Sequence, residues 1–510
     1  MVMLSPLITL IKEGLILLHG LFVFLSLLIL ILLFTPIYIY RWCVIKYVAC
    51  FHKSKFGKPI GSLGSLFAIE LLPNFPASKA PKCVVGSKII IDGHVTMQEL
   101  EEMFYVKWIG NKELTSRYPE ATQYVEKFMG FVFWKKDPYF KIENHLKILS
   151  LKGSTEAEME EELCHLSEEL LNKPFPHKRS PWEAYVVHNY KNDGLLKRSK
   201  TGELTLLILR MHHTFADGFS VMYAVIEGLL DTPLKDIALP NSKELGLTKL
   251  SEKVEFGLSF PLRFLRDLSE YSRGAFGEKT GFHRVDDRFP SRTLYGRPPD
   301  PFSVEKIRIT KEKLGVSFTA VVLSVLASAM GKTLGGKRKP VEKLLTYIPL
   351  PLPGHPRELS NHATIVCFPL PTAPELDPVV RVKKLEANLT QAKRNTTPLM
   401  FLLLMKTLGS LFPFMIDILA RNRVIPTGVS NFPGPGIEMR LNGKRGMEGD
   451  FFAGTLQGVT GVGFQVGSYQ DCLRVSTVVD NQVMSKSEVK QMVSYVVEEF
   501  DKLYELAMKS

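Results

Sequence analysis

Residues 204–218 read Leu-Thr-Leu-Leu-Ile-Leu-Arg-Met-His-His-Thr-Phe-Ala-Asp-Gly and hold the most informative pattern in this 510-residue chain. The nearly continuous apolar run in its first half predicts a β-strand that is covered on both faces. Beyond Gly218, apolar residues recur at spacings of three and four as far as Leu230, which predicts a buried helix. The polar heptad 212–218 therefore stands where a strand ends and a helix begins, and α/β proteins place their chemistry at such positions.

The residue types of this heptad favour proton transfer. His213 is predicted to aim the lone pair of its imidazole into a cleft. An imidazole whose pKa lies near neutrality can take a proton from a hydroxyl group and return it to a leaving thiol. Asp217 is predicted to fold back and hold the loop and the ring geometry, and Gly218 to let the backbone turn without a Cβ clash. The pattern thus indicates general-base acyl transfer.

Three other interpretations of the heptad compete with this one. A catalytic zinc site needs three protein ligands, and no HExxH, CxxC or second cluster supplies a third. A covalent acyl-enzyme is disfavoured because the chain has no GxSxG elbow and no reactive-cysteine signature. The third alternative is that His213 is a core histidine whose hydrogen bonds are satisfied within the fold. The six cysteines are scattered, which predicts neither zinc nor disulfides and fits a reducing compartment.

The composition is that of an ordinary folded chain with a positive charge. Hydrophobic residues make up 45% and charged residues 23%, which excludes a disordered, collagenous or coiled-coil protein. The 64 Lys and Arg residues exceed the 52 Asp and Glu residues, and the resulting net charge of +12 suits an anionic partner such as phospholipid, nucleic acid or a phosphate-bearing cofactor. Strand and helix patterns alternate after residue 58, which predicts the mixed α/β class.

A long apolar segment lies near the beginning of the chain. Residues 14–40 contain no Asp, Glu, Lys or Arg. As a helix they would span about 40 Å, more than the hydrocarbon core of a bilayer. A cleaved signal peptide is the alternative, but its apolar region would be shorter and no small-residue cleavage pattern follows. Residues 1–58 are therefore predicted to be a membrane anchor with a basic juxtamembrane segment.

The charges beside this segment predict its orientation. Residues 41–58 carry basic residues and no acid, whereas residues 1–13 offer only Lys12 against Glu13. By the positive-inside rule, the rest of the chain then faces the cytosol. The basic segment also favours anionic lipid over nucleic acid as the partner. The predicted location is a membrane, crossed once and expected to be the endoplasmic reticulum, with a cytosolic catalytic domain.

The remaining chain is predicted to form two lobes. Charged and turn-forming residues between 277 and 301 indicate the crossover between them. The predicted boundaries are 59–285 for the N-terminal lobe, which contains the heptad, and 286–510 for the C-terminal lobe. Residues 399–420 are apolar but interrupted by charged residues and a proline. They are predicted to form either an amphipathic helix that dips into the bilayer surface or a core helix between the lobes.

In this context the heptad resembles the HHxxxDG motif of the wax ester synthase/diacylglycerol acyltransferase family, which belongs to the CoA-dependent acyltransferases with the chloramphenicol acetyltransferase-like fold. The resemblance extends over about residues 88–500 and keeps the order of the family's motifs. Departures from the family pattern are Thr214, Phe215, His362 and Phe432. Further similar segments are Asp137–His145, Ser180–Glu183, Ser317–Met330, Asn361–Thr372, Ser430–Pro435 and Gly461–Tyr469.

The resemblance implies a role for each site residue. His213 would be the general base, and Asp217 a structural residue paired with an arginine that the sequence does not identify. His212 would support the loop. Asn431 and Gly434 would shape the cleft from the C-terminal lobe, although the Pro-Gly-Pro loop can also be read as a rigid turn without substrate contact.

The resemblance also implies an activity. A fatty acyl group would move from acyl-CoA to a lipid alcohol, giving a wax ester from a fatty alcohol or a triacylglycerol from diacylglycerol. Acyl-CoA would be a co-substrate, and neither a bound cofactor nor a metal is expected. Acyl-CoA, the lipid acceptor and a phospholipid membrane are the predicted partners, without nucleic acid. The alternatives are a catalytically inactive lipid-binding or tethering protein of the same fold and an acyltransferase with another acceptor, such as an amine.

Overall fold

The computed structural model describes residues 4–73, 83–231, 250–277, 279–284, 291–334, 341–356, 358–392, 394–455 and 458–509, with side chains from residue 8 onward. The α-helices are α1 (Leu4–Phe51), α2 (Ser62–Ala68), α3 (Met97–Glu102), α4 (Lys112–Arg117), α5 (Glu156–Asn172), α6 (Asp193–Leu196), α7 (Gly218–Gly228), α8 (Leu250–Phe276), α9 (Val304–Leu314), α10 (Phe318–Leu334), α11 (Pro378–Ala392), α12 (Thr397–Leu408), α13 (Pro413–Leu419) and α14 (Lys486–Lys509). The strands are β1 (Phe56–Pro59), β2 (Val84–Asp92), β3 (Gln123–Phe128), β4 (Phe131–Lys136), β5 (Leu146–Ser150), β6 (Trp182–His188), β7 (Leu204–His212), β8 (Thr293–Gly296), β9 (Phe302–Ser303), β10 (Lys343–Pro351), β11 (Ala363–Pro371), β12 (Thr427–Phe432), β13 (Arg440–Leu441), β14 (Lys444–Ala453), β15 (Val462–Tyr469) and β16 (Cys472–Asp480).

The first sheet contains the strand that leads into the heptad. Its order is β13-β14-β2-β7-β6-β5, and β7 pairs antiparallel with β2 on one side and β6 on the other. Every residue of β7 is buried. The prediction of a strand covered on both faces is therefore confirmed, because the apolar side chains of β7 pack against both layers beside the sheet.

The second sheet has the order β11-β10-β12-β15-β16-β8, and β9 pairs with the edge of β16. Parallel pairing joins β10 to β12 and β12 to β15. Helix α10 is buried along most of its length and packs with α14 in the largest apolar cluster, which covers one face of this sheet. A small third sheet of β1, β4 and β3 lies beside α1. The mixed α/β class predicted from the alternating pattern is confirmed.

The two large sheets do not divide the chain into two consecutive halves. Strands β13 and β14 come from the later part of the chain, but β14 pairs antiparallel with β2 and so extends the first sheet. Asp450 of β14 also contacts two buried cations, Lys88 of the first sheet at 3.2 Å and Arg297 after β8 at 3.2 Å. The predicted boundary between residues 285 and 286 lies outside the described residues and stays a prediction. Strands β13 and β14, from the predicted C-terminal lobe, belong to the first sheet.

Helix α1 is long and lies against the rest of the chain. Among the residues that the structure describes, it is the only unbroken helix that is long and apolar enough to cross a membrane. Its Gly20 packs so closely on α8 that a Cβ atom would overlap the carbonyl of Leu265. Farther along, Val44 and Val48 pack against the third sheet. Arg41 is buried and donates a hydrogen bond to the carbonyl of Ile60 at 2.9 Å. Residues 41–51 of the predicted juxtamembrane segment belong to α1.

The apolar segment 399–420 forms two helices. Helices α12 and α13 are separated by a break at residues 409–412, immediately before the proline that begins α13. Met400 and Phe401 are buried against α8, whereas Leu399 and Leu403 on the same helix are exposed. The segment therefore has one face in the core and another at the surface.

Candidate active site

The heptad forms the loop between β7 and α7. The strand ends at His212 and the helix begins at Gly218. Asp217 is the N-cap residue of α7, and its Oδ1 accepts a hydrogen bond from the backbone N–H of Ser220 at 2.9 Å. An N-cap carboxylate satisfies an amide at the helix start that has no partner within the helix. The predicted placement of the heptad at a strand-to-helix junction is confirmed.

The imidazole of His213 is held by Asn361, which lies just before β11. Asn361 Nδ2 donates to the backbone carbonyl of His213 at 2.8 Å, which fixes the orientation of the amide. Its Oδ1 lies 3.0 Å from His213 Nδ1. Because an amide oxygen only accepts hydrogen bonds, Nδ1 carries the proton and Nε2 keeps its lone pair. This is the tautomer that a general base needs.

The surroundings of His213 favour its uncharged form. Burial lowers the pKa of the His213 imidazole below its ordinary value. The ring of Phe67, on α2, covers part of the imidazole, with ring centres 4.5 Å apart. Because the lowered pKa favours the neutral form, the residue can accept a proton at neutral pH.

His213 faces a cavity of about 1390 Å³ between the two large sheets. Single small-ligand pockets usually measure about 300–1,000 Å³, so this one has room for more than one substrate. The lining is mostly aliphatic and aromatic and includes Ile89 from the first sheet and Ile365 from the second. The imidazole therefore borders a large apolar space between the lobes.

His212 points away from this cavity and is fully buried. The backbone N–H of Thr214 donates to His212 Nδ1 at 3.2 Å, which places the imidazole proton on Nε2. That nitrogen lies 3.3 Å from Glu70 Oε2, and the same carboxylate oxygen accepts a hydrogen bond from the backbone N–H of Cys83 at 3.0 Å. The Thr214 hydroxyl also contacts Nδ1 at 2.9 Å. These contacts suit the predicted supporting role of His212.

Asp217 connects the heptad to the segment between β10 and β11. Both of its carboxylate oxygens lie 3.0 Å from His355 Nε2, and the backbone N–H of His362 donates to Oδ2 at 2.7 Å. Burial alone would raise the pKa of Asp217, but the contacts with His355 and two backbone amides lower it overall. Burial would lower the pKa of His355, and Asp217 raises it overall. Among the described residues, a histidine and not the expected arginine pairs with Asp217.

Gly218 is predicted to let the backbone turn without a Cβ clash, and the structure places that clash at the other lobe. Its φ does not lie in the left-handed region that favours glycine. Instead, a Cβ atom at Gly218 would overlap the ring of Phe432 at the end of β12. Phe432 also packs on Phe219, with ring centres 4.7 Å apart. The glycine allows close packing between the two lobes, and the turn itself needs no special backbone conformation.

The two residues that the C-terminal lobe was predicted to contribute to the site both line the cavity. Asn431 lies on β12, beside Phe432, and Gly434 follows in the loop. A Cβ atom at Gly434 would overlap the carbonyl of Ser468 on β15, and its backbone N–H donates to the Ser468 hydroxyl at 3.1 Å. The loop is therefore fixed against β15 and also borders the cavity.

Several residues at the site were not assigned a role from the sequence: Asn361, His355, Glu70 and Phe67. Asn361 begins a segment that resembles the family, so its position in the sequence pointed to the site. Nothing in the sequence predicted its contact with His213. Glu70 lies 142 positions before His212, and no spacing rule connects them. Across the described ranges, no group of three or more His, Cys, Asp or Glu residues is arranged to hold a metal ion.

Comparison with known families agrees with this geometry. Residues 86–270 match the wax ester synthase/diacylglycerol acyltransferase catalytic domain, and residues 359–504 match the WS/DGAT C-terminal domain. The chain belongs to the wax ester synthase/diacylglycerol acyltransferase family. The resemblance of the heptad and its neighbouring motifs is thereby confirmed, and acyl transfer is the chemistry of the family's catalytic domain. No curated protein sequence matches the chain.

Solved structures share the fold of this WS/DGAT chain. The wax ester synthase/diacylglycerol acyltransferase from Marinobacter aquaeolei VT8 superimposes with a TM-score of 0.59 at 14% identity, covering 88% of this chain and 100% of that one. The TRI3 trichothecene 15-O-acetyltransferase from Fusarium sporotrichioides gives 0.54 at 11% identity, covering 88% and 94%. The first condensation domain of the CDA synthetase gives 0.52 at 14%, covering 89% and 96%. The predicted two-lobed acyltransferase fold is confirmed.

Proposed function

We propose that this member of the WS/DGAT family transfers a fatty acyl group from acyl-CoA to the hydroxyl group of a lipid alcohol, with His213 as the general base. One observation carries the proposal. His213 borders the large cavity between the lobes while Asn361 holds its Nδ1 at 3.0 Å, which leaves the Nε2 lone pair free to accept a proton. General-base catalysis of this kind contributes about 10²- to 10⁴-fold to a rate.

The proposed reaction has two proton transfers at one nitrogen. The alcohol gives its proton to His213 Nε2 as its oxygen forms a bond to the thioester carbon. The carbonyl oxygen then carries the negative charge, and fixed hydrogen-bond donors stabilise such an oxyanion. When the intermediate collapses, the carbon–sulfur bond breaks and the CoA sulfur takes the proton from Nε2. The imidazole ends neutral, and acyl-CoA serves as a co-substrate without a resident cofactor.

The size and character of the cavity support lipid substrates. Its volume of about 1390 Å³ and its mostly apolar lining suit an acyl chain together with a hydrophobic alcohol. A fatty alcohol would give a wax ester and diacylglycerol would give a triacylglycerol. A small polar acceptor would leave much of this surface unfilled.

The proposed location is a membrane, with α1 as a single-pass anchor and the catalytic lobes on the cytosolic side of the endoplasmic reticulum. The apolar face of α1 supports the anchor, since large side chains such as Leu32 are 71% exposed. Lys46, in the last turns of α1, and Lys53 and Lys55, just after its end, are exposed. Cations there suit the anionic cytosolic leaflet.

A radiolabelled acyl-CoA assay on membranes tests the proposal, with fatty alcohol, diacylglycerol and a long-chain amine supplied as competing acceptors. We expect ester products from the wild type and about 10²- to 10⁴-fold less from His213→Ala. His177→Ala is the matched control, because His177 is exposed and does not line the cavity. Undiminished ester synthesis by a folded His213→Ala protein would refute the proposed mechanism, and a product formed from the amine alone would refute the proposed acceptor.

A further inference from the structure

The cavity at His213 is lined in part by exposed residues of α1, α12 and α13, and this exposed part of the lining is called the mouth. Five large aliphatic side chains line the cavity and are also exposed: on α1, Leu28 (40%), Leu30 (44%) and Ile31 (38%); on α12, Leu403 (51%); and on α13, Leu419 (43%). The exposed cavity-lining residues of α1, α12 and α13 are thus all apolar.

Such a mouth is unusual for an opening onto water. Single exposed leucines are common on soluble proteins, but a contiguous apolar group around one opening indicates a binding surface or a membrane. The mouth includes α1, which is the only unbroken helix in the described parts of the chain that could cross a bilayer. Continuity with that helix favours hydrocarbon as the medium in front of the mouth.

We infer that the cavity opens sideways into the hydrocarbon of the bilayer, and that the lipid acceptor reaches His213 between α1, α12 and α13 without passing through water. The inference rests on the proposed function, which supplies a lipid alcohol as the acceptor. Helix α1 is then a wall of the substrate path as well as an anchor. The occupant of the mouth is a membrane lipid.

Charged residues beside the mouth agree with this placement. Lys406 is exposed on α12, three residues after Leu403, and Arg423 is exposed and borders the same cavity shortly after α13. Cations next to an apolar surface suit the level of the phosphate groups, while the aliphatic side chains face the acyl chains.

Helix α8 adds a second apolar surface next to α1. One of its faces carries Phe256, Phe260 and Phe264, which pack in a row, and Phe264 reaches Phe24 of α1. The opposite face exposes aliphatic residues at a spacing of four: Leu250, Val254, Leu258 and Leu262. These exposed aliphatic side chains extend the apolar surface beside α1, and an extended exposed apolar surface indicates a binding surface or a membrane.

The test compares two routes of acceptor delivery. Full-length protein is reconstituted in phosphatidylcholine/phosphatidylserine vesicles and given acyl-CoA, either with hexadecanol dissolved in the bilayer or with butanol supplied from the water. In Leu403→Glu and Leu419→Glu we expect the rate with hexadecanol, divided by the rate with butanol, to fall about tenfold or more, because a carboxylate at the mouth repels hydrocarbon chains. Met508→Glu, on the exposed end of α14, is the matched control.

The outcomes separate the inference from the proposed function. A wild type that forms no ester with either alcohol, or with diacylglycerol dissolved in the same vesicles, refutes the proposed function. A wild type that uses both alcohols, together with mouth variants that keep the full hexadecanol rate, refutes the lateral route, as does equal loss with both alcohols in folded variants. Leu403→Trp keeps the site apolar while narrowing the mouth, so it gives the same selective loss should the glutamate variants fail to fold.

Discussion

Asn361 holds His213 through two hydrogen bonds, one at 3.0 Å between its Oδ1 and the ring Nδ1 and one at 2.8 Å from its Nδ2 to the His213 carbonyl. Asn361 lies just before β11 of the second sheet, and His213 lies immediately after β7 of the first. The orientation of the proposed base therefore depends on the two lobes being packed together, and the second lobe positions the residue that the first lobe supplies.

Asn361→Leu is expected to lower kcat by up to about 10²-fold, because a base that is misplaced by about 1 Å loses much of its effectiveness. The KM for acyl-CoA should change little, since Asn361 holds the imidazole and not the CoA. Steady-state kinetics measure both quantities. An effect confined to KM would contradict the positioning role.

Asn361→Asp is the informative companion, because a carboxylate at Nδ1 should raise the pKa of His213 and move the acidic limb of the pH profile to higher pH.

The pH dependence of the wild type follows from the lowered pKa of His213. Only the neutral imidazole accepts a proton, so activity is retained at neutral pH. It is lost as the pH falls through the folded-state pKa, which lies below the ordinary value of about 6.5. A profile of kcat/KM against pH on intact membranes measures this limb. An acidic limb above pH 6.5 would show that another group controls the reaction.

The pair of Asp217 and His355 is expected to make stability depend on pH. The pKa of His355 is raised in the folded state, so its contribution is complete below about pH 6.5 and is lost as the pH rises through the folded-state value. The pKa of Asp217 is lowered, so its contribution is present above about pH 3.9 and is lost as the pH falls through its folded-state value. The pair should therefore stabilise most between these limits.

His355→Gln tests this pair. The variant leaves the buried carboxylate of Asp217 without a cation, which should cost on the order of 3 kcal/mol. The difference in Tm between wild type and variant should be largest near pH 6 and shrink as the pH rises. His355→Arg is the control, because a permanent cation should retain the stability and remove its dependence on alkaline pH. A Tm difference that grows with pH would contradict the assignment.

Gly218→Ala is expected to destabilise the protein by about 1–3 kcal/mol, because the added Cβ atom overlaps the ring of Phe432. Phe432→Val removes most of that ring. In its background Gly218→Ala should therefore cost less, and a double-mutant cycle of unfolding free energies measures the coupling. If the two substitutions were simply additive, close packing against Phe432 would not be the reason for glycine at this position.

The orientation across the membrane predicts the fate of two glycosylation motifs. Asn388 and Asn395 each begin an Asn-X-Thr sequence, and in the proposed cytosolic lobes neither should receive glycan. Translation with microsomes followed by endoglycosidase treatment should leave the electrophoretic mobility unchanged. A version with a glycosylation motif in an N-terminal tag is the control and should shift. A shift of the untagged chain would mean that the lobes face the lumen.

The sequence by itself determined the features that depend on neighbouring residues. The apolar run before His212 predicted β7, the three-and-four spacing after Gly218 predicted α7, and the heptad between them located the candidate base. The absence of charge from residues 14–40 predicted a helix long enough to span a bilayer. Each of these features can be predicted from a short stretch of sequence, because strand burial, helix periodicity and a fixed motif depend on residues that are close together in the chain.

Only the tertiary structure decided which distant groups complete the site. Asn361 reaches His213 across 148 positions, His355 reaches Asp217 across 138, and Glu70 reaches His212 across 142. The same holds for β14 beside β2 and for α1 beside the cavity. Such partners are selected by burial and by the hydrogen-bond requirements of groups removed from water. Both requirements depend on residues that are close in the folded structure but far apart in the sequence, so a local sequence pattern does not predict them.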